Sequence, residues 1–327
     1  MRKNKKGILS SVVIIMLVLS VMLSGCNKKS TETVVDQASK YPEKPITLLI
    51  PYAAGGGVDT IYRRLAAEMS KDLGQPIVCQ NVNGGGGQVG FKQIAAAQPD
   101  GYTIGATTNS MLLQVASNTG TVGASDVTPI AMINEDAAAI AVGVDSPYKD
   151  LAAFIEAAKK EPGKLRVSNS GPKAVWDVST TMFEKATSTK VTHVPYEGSN
   201  PAAVAVAGGH IEAVMTSPPE VKALVDAGKL KVLAVLDKQR YPLFPNVPTL
   251  KESGFDLTFT SWRAMIGPKG IPQGIVTKLE ASIKKNVASE VFVKFMKDGG
   301  YEINYVSSAE LGTFMAKQEV ELKELLK

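Results

Sequence analysis

Two stretches of bare backbone carry the chemistry this sequence offers. Tyr52-Ala-Ala-Gly-Gly-Gly-Val-Asp59 follows a short apolar run, and Asn83-Gly-Gly-Gly-Gly-Gln-Val-Gly90 follows a second one. Glycine lets the backbone approach a ligand closely and turn its N–H groups inward. A helix N-terminus behind such a loop adds unpaired N–H donors and a partial positive charge, so each stretch reads as an anion site. Neither contains the lysine of a phosphate-binding P-loop. Gly85, Gly87 and Gly90 fit the spacing G-x-G-x-x-G. The following strand, however, ends in Thr107, Thr108, Asn109 and Ser110 and supplies no carboxylate for a ribose, which argues against a dinucleotide. Two histidines, His193 and His210, lack neighbours at ligand spacing, so no metal is expected. Serines are present without a G-x-S-x-G elbow. Asp59 sits where an acid is stabilised in the first turn of a helix, and direct ligand contact is the alternative. Tyr52 and Trp262 are open to packing or recognition. No cofactor is expected.

The elements that hold these residues follow from periodicity. ITLLI, between Pro45 and Pro51, reads as a buried strand. Val58, Ile61, Leu65, Met69 and Leu73 recur at helical spacing, and Gly74 ends that helix. QPIVCQNV is a second strand, FKQIAAA a short helix and YTIGATT a third strand. The alternation restarts at AIAVGV and runs through LAAFIEAAKKEPG, LRVSNSG, VTHVPY, NPAAVAVAGG, IEAVMTS, PEVKALVDAG and KLKVLAVL. Leu279–Ala288 and Ala309–Leu326 read as C-terminal helices. Strands alternating with helices indicate parallel sheets flanked by helices, here in two α/β units. VPYEGSN (194–200) echoes IPYAAGG (50–56), which suggests that each unit brings a similar loop to one place.

The first 25 residues, a basic MRKNKK followed by an apolar run ending Leu-Ser-Gly before Cys26, have the pattern of a bacterial lipoprotein signal peptide. Cys26 is then the expected lipidation site, with acyl chains as the membrane anchor. Residues 26–40 are polar and aperiodic and read as a tether. Without Arg2, Lys3, Lys5 and Lys6 the chain keeps 32 basic against 31 acidic residues, so nothing points to nucleic acid. With Cys26 lipidated, Cys79 has no partner for a disulfide.

The ordered motifs YPEKPITLLIPYAAGGGVDT, LGQPIVCQNVNGGGGQVG, AAAQPDGYTIG, THVPYEGSNPA, AGGHIEAV, LVDAGKLKVLAV and FPNVPTLKESG resemble the substrate-binding receptors of tripartite tricarboxylate transporters, the Bug receptors. The resemblance runs from about Tyr41 to the C-terminus. It implies an α/β, two-lobe periplasmic-binding-protein fold of type II-like form with a ligand cleft between the lobes. Residues 41–139 and 261–327 would form one lobe and 140–260 the other. It implies a non-enzymatic, monomeric receptor that hands a small carboxylate to the membrane subunits of a transporter. An exported enzyme acting on an acidic metabolite, with Asp59 or Asp177 as base, or a ligand sensor, is the alternative. The resemblance places the carboxylate grip at Tyr52, Ala54, Gly55, Gly56, Asp59, Gly86 and Gly87, with Thr108 and Asn109 at the neighbouring strand end. Ser170, Gly171, Tyr196, Gly198, Ser199 and Thr216 would contribute from the far lobe, and Trp262 from the crossover SWRAMIGP. The chain departs from the family at SNSGPKAVWDVS and MTSPP, loops that face the distal end of the ligand.

Overall fold

Ile46, Leu48, Leu49 and Ile50 are all buried, so strand β1 (Ile46–Ile50) is covered on both faces. Such a continuous apolar run belongs in a parallel sheet. β1 lies between β2 (Ile77–Asn81) and β3 (Thr103–Thr108) and is parallel to both. The structure, a computed structural model, describes residues 39–326. The proposed signal peptide, Cys26 and the tether up to residue 38 lie outside the described residues. Every element named here belongs to one compact unit, Pro42–Lys327.

Helix α1 (Gly57–Leu73) connects β1 to β2 and buries Val58, Ile61, Leu65 and Met69 along one stripe. It ends at Gly74, in the left-handed conformation. α2 (Gln88–Ala95) packs so closely on β3 that a Cβ on Gly105 would lie 2.0 Å from Ile94 Cδ1. α3 (Ser110–Ala116) follows β3.

The whole sheet has the order β2-β1-β3-β9-β4-β7-β5-β6, with β8 and β10 also paired to β4. β4 (Val127–Gly143) is the strand that joins its two halves. Its first part pairs antiparallel with β9 (Thr260–Pro268) and β10 (Ile303–Val306). Its last part pairs antiparallel with β7 (Ala213–Thr216) and β8 (Leu230–Leu236). Beyond β7 lie β5 (Arg166–Asn169) and β6 (Thr192–Pro195), running parallel. Each half is thus a small α/β sheet, and β4 and β9 connect them.

In the second half, α4 (Leu151–Lys160) and α5 (Val175–Thr187) cover one face, with Phe154, Trp176, Phe183 and Met215 in the core. α6 (Ser199–Ala207) and α7 (Pro218–Asp226) cover the other through Ala202, Val206, Val214 and Val221. In the first half, α8 (Gln273–Val287), α9 (Glu290–Gly299) and α10 (Ser308–Leu325) complete the fold. α9 and β10 were not apparent in the sequence. α8 begins six residues before the sequence-based start at Leu279.

Candidate functional site

The first glycine loop is shaped by Asp59. Its Oδ2 accepts from the Gly55 N–H at 3.0 Å, and its Oδ1 accepts from Arg63 Nε at 2.7 Å and Asn81 Nδ2 at 2.9 Å. Asn81 Nδ2 also donates to the Tyr52 carbonyl at 2.8 Å. The carboxylate is therefore committed to holding the loop. What the loop then presents is the N-terminus of α1. The Gly57, Val58 and Asp59 amides have no acceptor within the helix, and the helix dipole makes this end positive. The second glycine loop is held by Gln114, whose Nε2 donates to the carbonyls of Gly85 at 2.9 Å and Gly86 at 3.1 Å. Tyr52 and Thr108 hydroxyls are hydrogen-bonded at 3.0 Å at the end of β3.

The facing wall comes from the second half. Beyond β5, Asn169 Oδ1 accepts from the Gly171 N–H, and Asn169 Nδ2 donates to Asp177 Oδ1. Asp177 Oδ2 also accepts from the Lys173 N–H at 2.8 Å, and Oδ1 contacts His193 Nδ1. Hence the loop 169–173 is braced from behind. The Trp176 Nε1–H donates to Ser199 Oγ at 3.0 Å. Ser170 Oγ, on a residue 3% exposed, has no hydrogen-bond partner among the described residues.

Between these walls is a narrow cleft of about 20 Å³ lined by Tyr52, Gly56, Gly57, Val58, Thr108, Ser170, Val175, Trp176, Ser199, Glu220, Ser261 and Arg263. That is room for about one water and far below an ordinary small-molecule site, so the walls must part to admit a ligand. The walls touch around it. Ala53 N–H donates to the Glu197 carbonyl at 2.9 Å, so the two echoing loops meet. Asn200 Nδ2 reaches the Ala54 carbonyl, and Val175 N–H donates to Ser110 Oγ at 2.9 Å. A Cβ on Gly171 would lie 2.7 Å from Gly86 Cα. Both glycines have φ values, 122° and 65°, that other residues rarely adopt. The backbones can close to this distance only because both positions lack side chains.

One charged group at the cleft stands out. Arg263 lies on β9 with its side chain 1% exposed. Its Nη1 donates to Asp136 and Asn134, and its Nη2 lies 3.5 Å from Glu220 Oε1. Its Nε has no partner among the described residues. Glu220 Oε2 accepts from Thr216 Oγ1 at 2.7 Å and Ser217 Oγ at 3.0 Å, capping α7, while Oε1 accepts from the Gly57 N–H at 3.1 Å. Burial alone would raise the Glu220 carboxyl. Arg263 and the hydrogen bonds from Thr216, Ser217 and Gly57 outweigh it, so Glu220 stays below its ordinary value. Burial also pushes the Asp136 carboxyl up. The guanidinium against it is held charged, above its own ordinary value, and keeps the pair ionic.

Of the residues singled out in the sequence, Tyr52, Gly56, Thr108, Ser170 and Ser199 line the cleft. Ala54, Gly55, Tyr196 and Gly198 lie in the two loops that meet beside it, and Gly86 and Gly171 form the close backbone contact. Gly87 lies beside Phe91 and the Tyr52 hydroxyl. Asn109 donates to the Thr260 carbonyl and accepts from Ser261, and Thr216 holds Glu220, so both stand behind the lining. The structure does not bring Trp262 to the cleft. Strand alternation turns Ser261 and Arg263 inward and Trp262 to the opposite face. There its Nε1–H donates to Gln318 Oε1 at 2.7 Å and its ring meets Phe314. His193, read as lacking a partner, bridges Asp177 and Glu184.

Gly57 and Val58 belong to the first glycine stretch, whereas Val175, Trp176, Glu220, Ser261 and Arg263 were not singled out as site residues in the sequence. An arginine inside the apolar strand SWRAMIGP was the available signal, since a buried cation requires a carboxylate partner. No cluster of three metal-ligating side chains occurs among the described residues. The arrangement offers charge and hydrogen bonds for gripping an anion, and Asp59 and Asp177 are both engaged in bracing loops.

Comparison with known proteins bears on the fold and the family. The profile described as "Tripartite tricarboxylate transporter family receptor" matches residues 61–327. The "UPF0065 protein in gbd 5'region" of Cupriavidus necator is 31% identical, over 86% of this chain and 86% of that protein. The structure of MatC from Rhodopseudomonas palustris with bound malate superposes with a TM-score of 0.84 at 26% identity, covering 88% of this chain and 100% of that one. A second R. palustris structure, with adipate, gives 0.82 at 27% identity, covering 87% and 96%. The two-lobe fold of periplasmic binding proteins is common to these structures. On the family profile and the full-length relatives together, the chain belongs to the tripartite tricarboxylate transporter receptor family, whose members bind solutes rather than transform them.

Proposed function

We propose that the protein captures a small carboxylate in the cleft between its lobes and delivers it to the membrane subunits of a tripartite tricarboxylate transporter. The observation that carries this reading is the N-terminus of α1 directed into a closed cleft beside the buried Arg263. The first-turn amides after Gly57, the helix dipole and the Arg263 Nε–H, which has no partner among the described residues, together favour an anion. The MatC structure with bound malate and the R. palustris structure with adipate support a carboxylate as that anion. Micromolar affinity corresponds to about 8 kcal/mol, which a few such hydrogen bonds in a shielded cleft can supply.

The lobes in this reading are residues 41–139 with 261–327, and 140–260. They open and close about the two connecting strands. The receptor works as a monomer, outside the cytoplasm, held at the membrane by acyl chains on Cys26. Replacing Cys26 by Ser then releases it from the membrane fraction, and retention at high salt contradicts the anchor. The carboxylate reading is tested by thermal shift against a panel of mono-, di- and tricarboxylates and neutral analogues of the same size. Stabilisation by at least one acid and by none of the neutral analogues is expected. Stabilisation by the neutral compounds alone overturns it.

A further inference from the structure

The cleft has an unusual charge balance for a carboxylate site. The charged groups that face the cleft or touch Arg263 are Arg263, Asp136 and Glu220, with side chains 1%, 0% and 4% exposed, while Asp59 and Asp177 brace the loops from behind against Arg63 and His193. One cation faces two carboxylates. The Arg263 Nη1 is spent on Asp136 and Asn134. The donors left over are Arg263 Nε and Ser170 Oγ, both buried without partners among the described residues, and the first-turn amides of α1 after Gly57. They are enough for one carboxylate. A second carboxylate finds no further cation, because Lys173, at the loop nearby, is exposed. It finds instead the fixed acceptor Glu220, held by Thr216 and Ser217 from one side and only 3.5 Å from Arg263 Nη2 on the other. Like charges sharing a buried site repel strongly.

We propose that Arg263 and Glu220 together set the ligand class: one carboxylate, taken by Arg263 Nε, Ser170 Oγ and the α1 amides, and one hydrogen-bond donor, a hydroxyl or an ammonium, given to Glu220 Oε1. Dicarboxylates are rejected by Glu220. This inference rests on the carboxylate reading above and narrows it. Glu220 is the specificity-determining residue, reaching the site from the second half of the sheet, in the first turn of α7.

Four-carbon acids of matched length test the proposal by isothermal titration: butyrate, 2-hydroxybutyrate, 2-aminobutyrate and succinate, against the wild type, Glu220→Gln and Ser170→Ala. In the wild type, 2-hydroxybutyrate or 2-aminobutyrate binds at least tenfold more tightly than butyrate and succinate, and the stronger of the two identifies the donor. In E220Q that advantage falls below threefold and succinate gains about tenfold. S170A removes a hydroxyl that has no partner among the described residues, so it is expected to fold, and it weakens all binding acids by a similar factor without changing their order. Succinate as the tightest ligand of the wild type overturns the proposal and leaves the carboxylate reading standing. Unchanged ratios in E220Q do the same. Binding of none of the four acids, with neutral solutes binding instead, overturns both.

Discussion

Gly56 and Gly57 are adjacent, yet the structure separates their roles. Gly56 has extended φ of −78°, and a Cβ there would meet its nearest atom at an ordinary 3.7 Å. A Cβ on Gly57 would lie 2.7 Å from Glu220 Oε1 and 2.9 Å from Arg263 Nη2. Gly57→Ala is therefore expected to hold the cleft open and to lower affinity by more than tenfold, while Gly56→Ala changes it less than threefold. Titration of the two variants with one bound carboxylate decides this, and equal affinities contradict it. Arg263→Met leaves Asp136 and Glu220 buried without their cation. Breaking a buried pair in this way costs about 3–5 kcal/mol, which guanidinium denaturation will read as a lowered midpoint. The glycine loops were legible because bare backbone after a strand has few other uses. Glu220 was not, because Ser217-Pro-Pro-Glu220 reads as a helix capping box, and it is one. Its second oxygen serves the cleft, and nothing in local sequence reports that. Arg263 finds Asp136 127 residues away in the chain, beyond the reach of spacing arguments.

Among the elements, β4 was read as the short strand AIAVGV with its lead-in, whereas it spans Val127–Gly143. Asn134-Glu135-Asp136 interrupts the apolar run and hides its continuity. These polar residues are accommodated because Arg263, Thr260 and Asn304 come to meet them from β9 and β10. The loops at 52–56 and 196–200 do meet, so the echo in sequence corresponds to a contact in space. The brace of α5 makes a pH prediction. The hydrogen bond to Asp177 raises the His193 imidazole above its usual value, aided by Glu184 and opposed by burial. Burial favours a raised Asp177 carboxyl, but His193 and the Lys173 amide bring it below its usual value. The histidine's contribution is complete below about pH 6.5, its unfolded value, and is lost as pH rises through the raised folded value. The aspartate's contribution is present above about pH 4, the unfolded value, and is lost as pH falls through the lowered folded one. The stabilisation from the pair is thus greatest between about pH 4 and 6.5. The melting-temperature difference between wild type and His193→Gln should shrink between pH 6 and 8.5. A difference that stays constant over that range contradicts the charged pair.

At the scale of the whole molecule, the alternation of strands and helices made the two α/β units legible, and the ordered motifs pointed to the family. The closed state was not legible. It depends on contacts such as Ala53 to Glu197, Ser110 to Val175, Gly57 to Glu220 and Gly86 against Gly171, each between residues more than 60 positions apart. A solute reaches a cleft of this size only when the lobes part. Ligand is then expected to reduce the radius of gyration in small-angle scattering, as an open population shifts to the closed one. Fluorescence distinguishes the two tryptophans of the chain. Trp176 bonds to Ser199 in the cleft, whereas Trp262 packs on Phe314 away from it. The signal should survive Trp262→Phe and disappear in Trp176→Phe, and the reverse pattern contradicts the placement of the cleft. The central claim, that this cleft grips a small carboxylate, is tested most directly by mass spectrometry of solute released from freshly purified wild type and Gly57→Ala. A small carboxylic acid recovered in near-stoichiometric amount from the wild type and absent from the variant is the predicted result. A neutral solute, or the same acid in equal amount from both proteins, would contradict it.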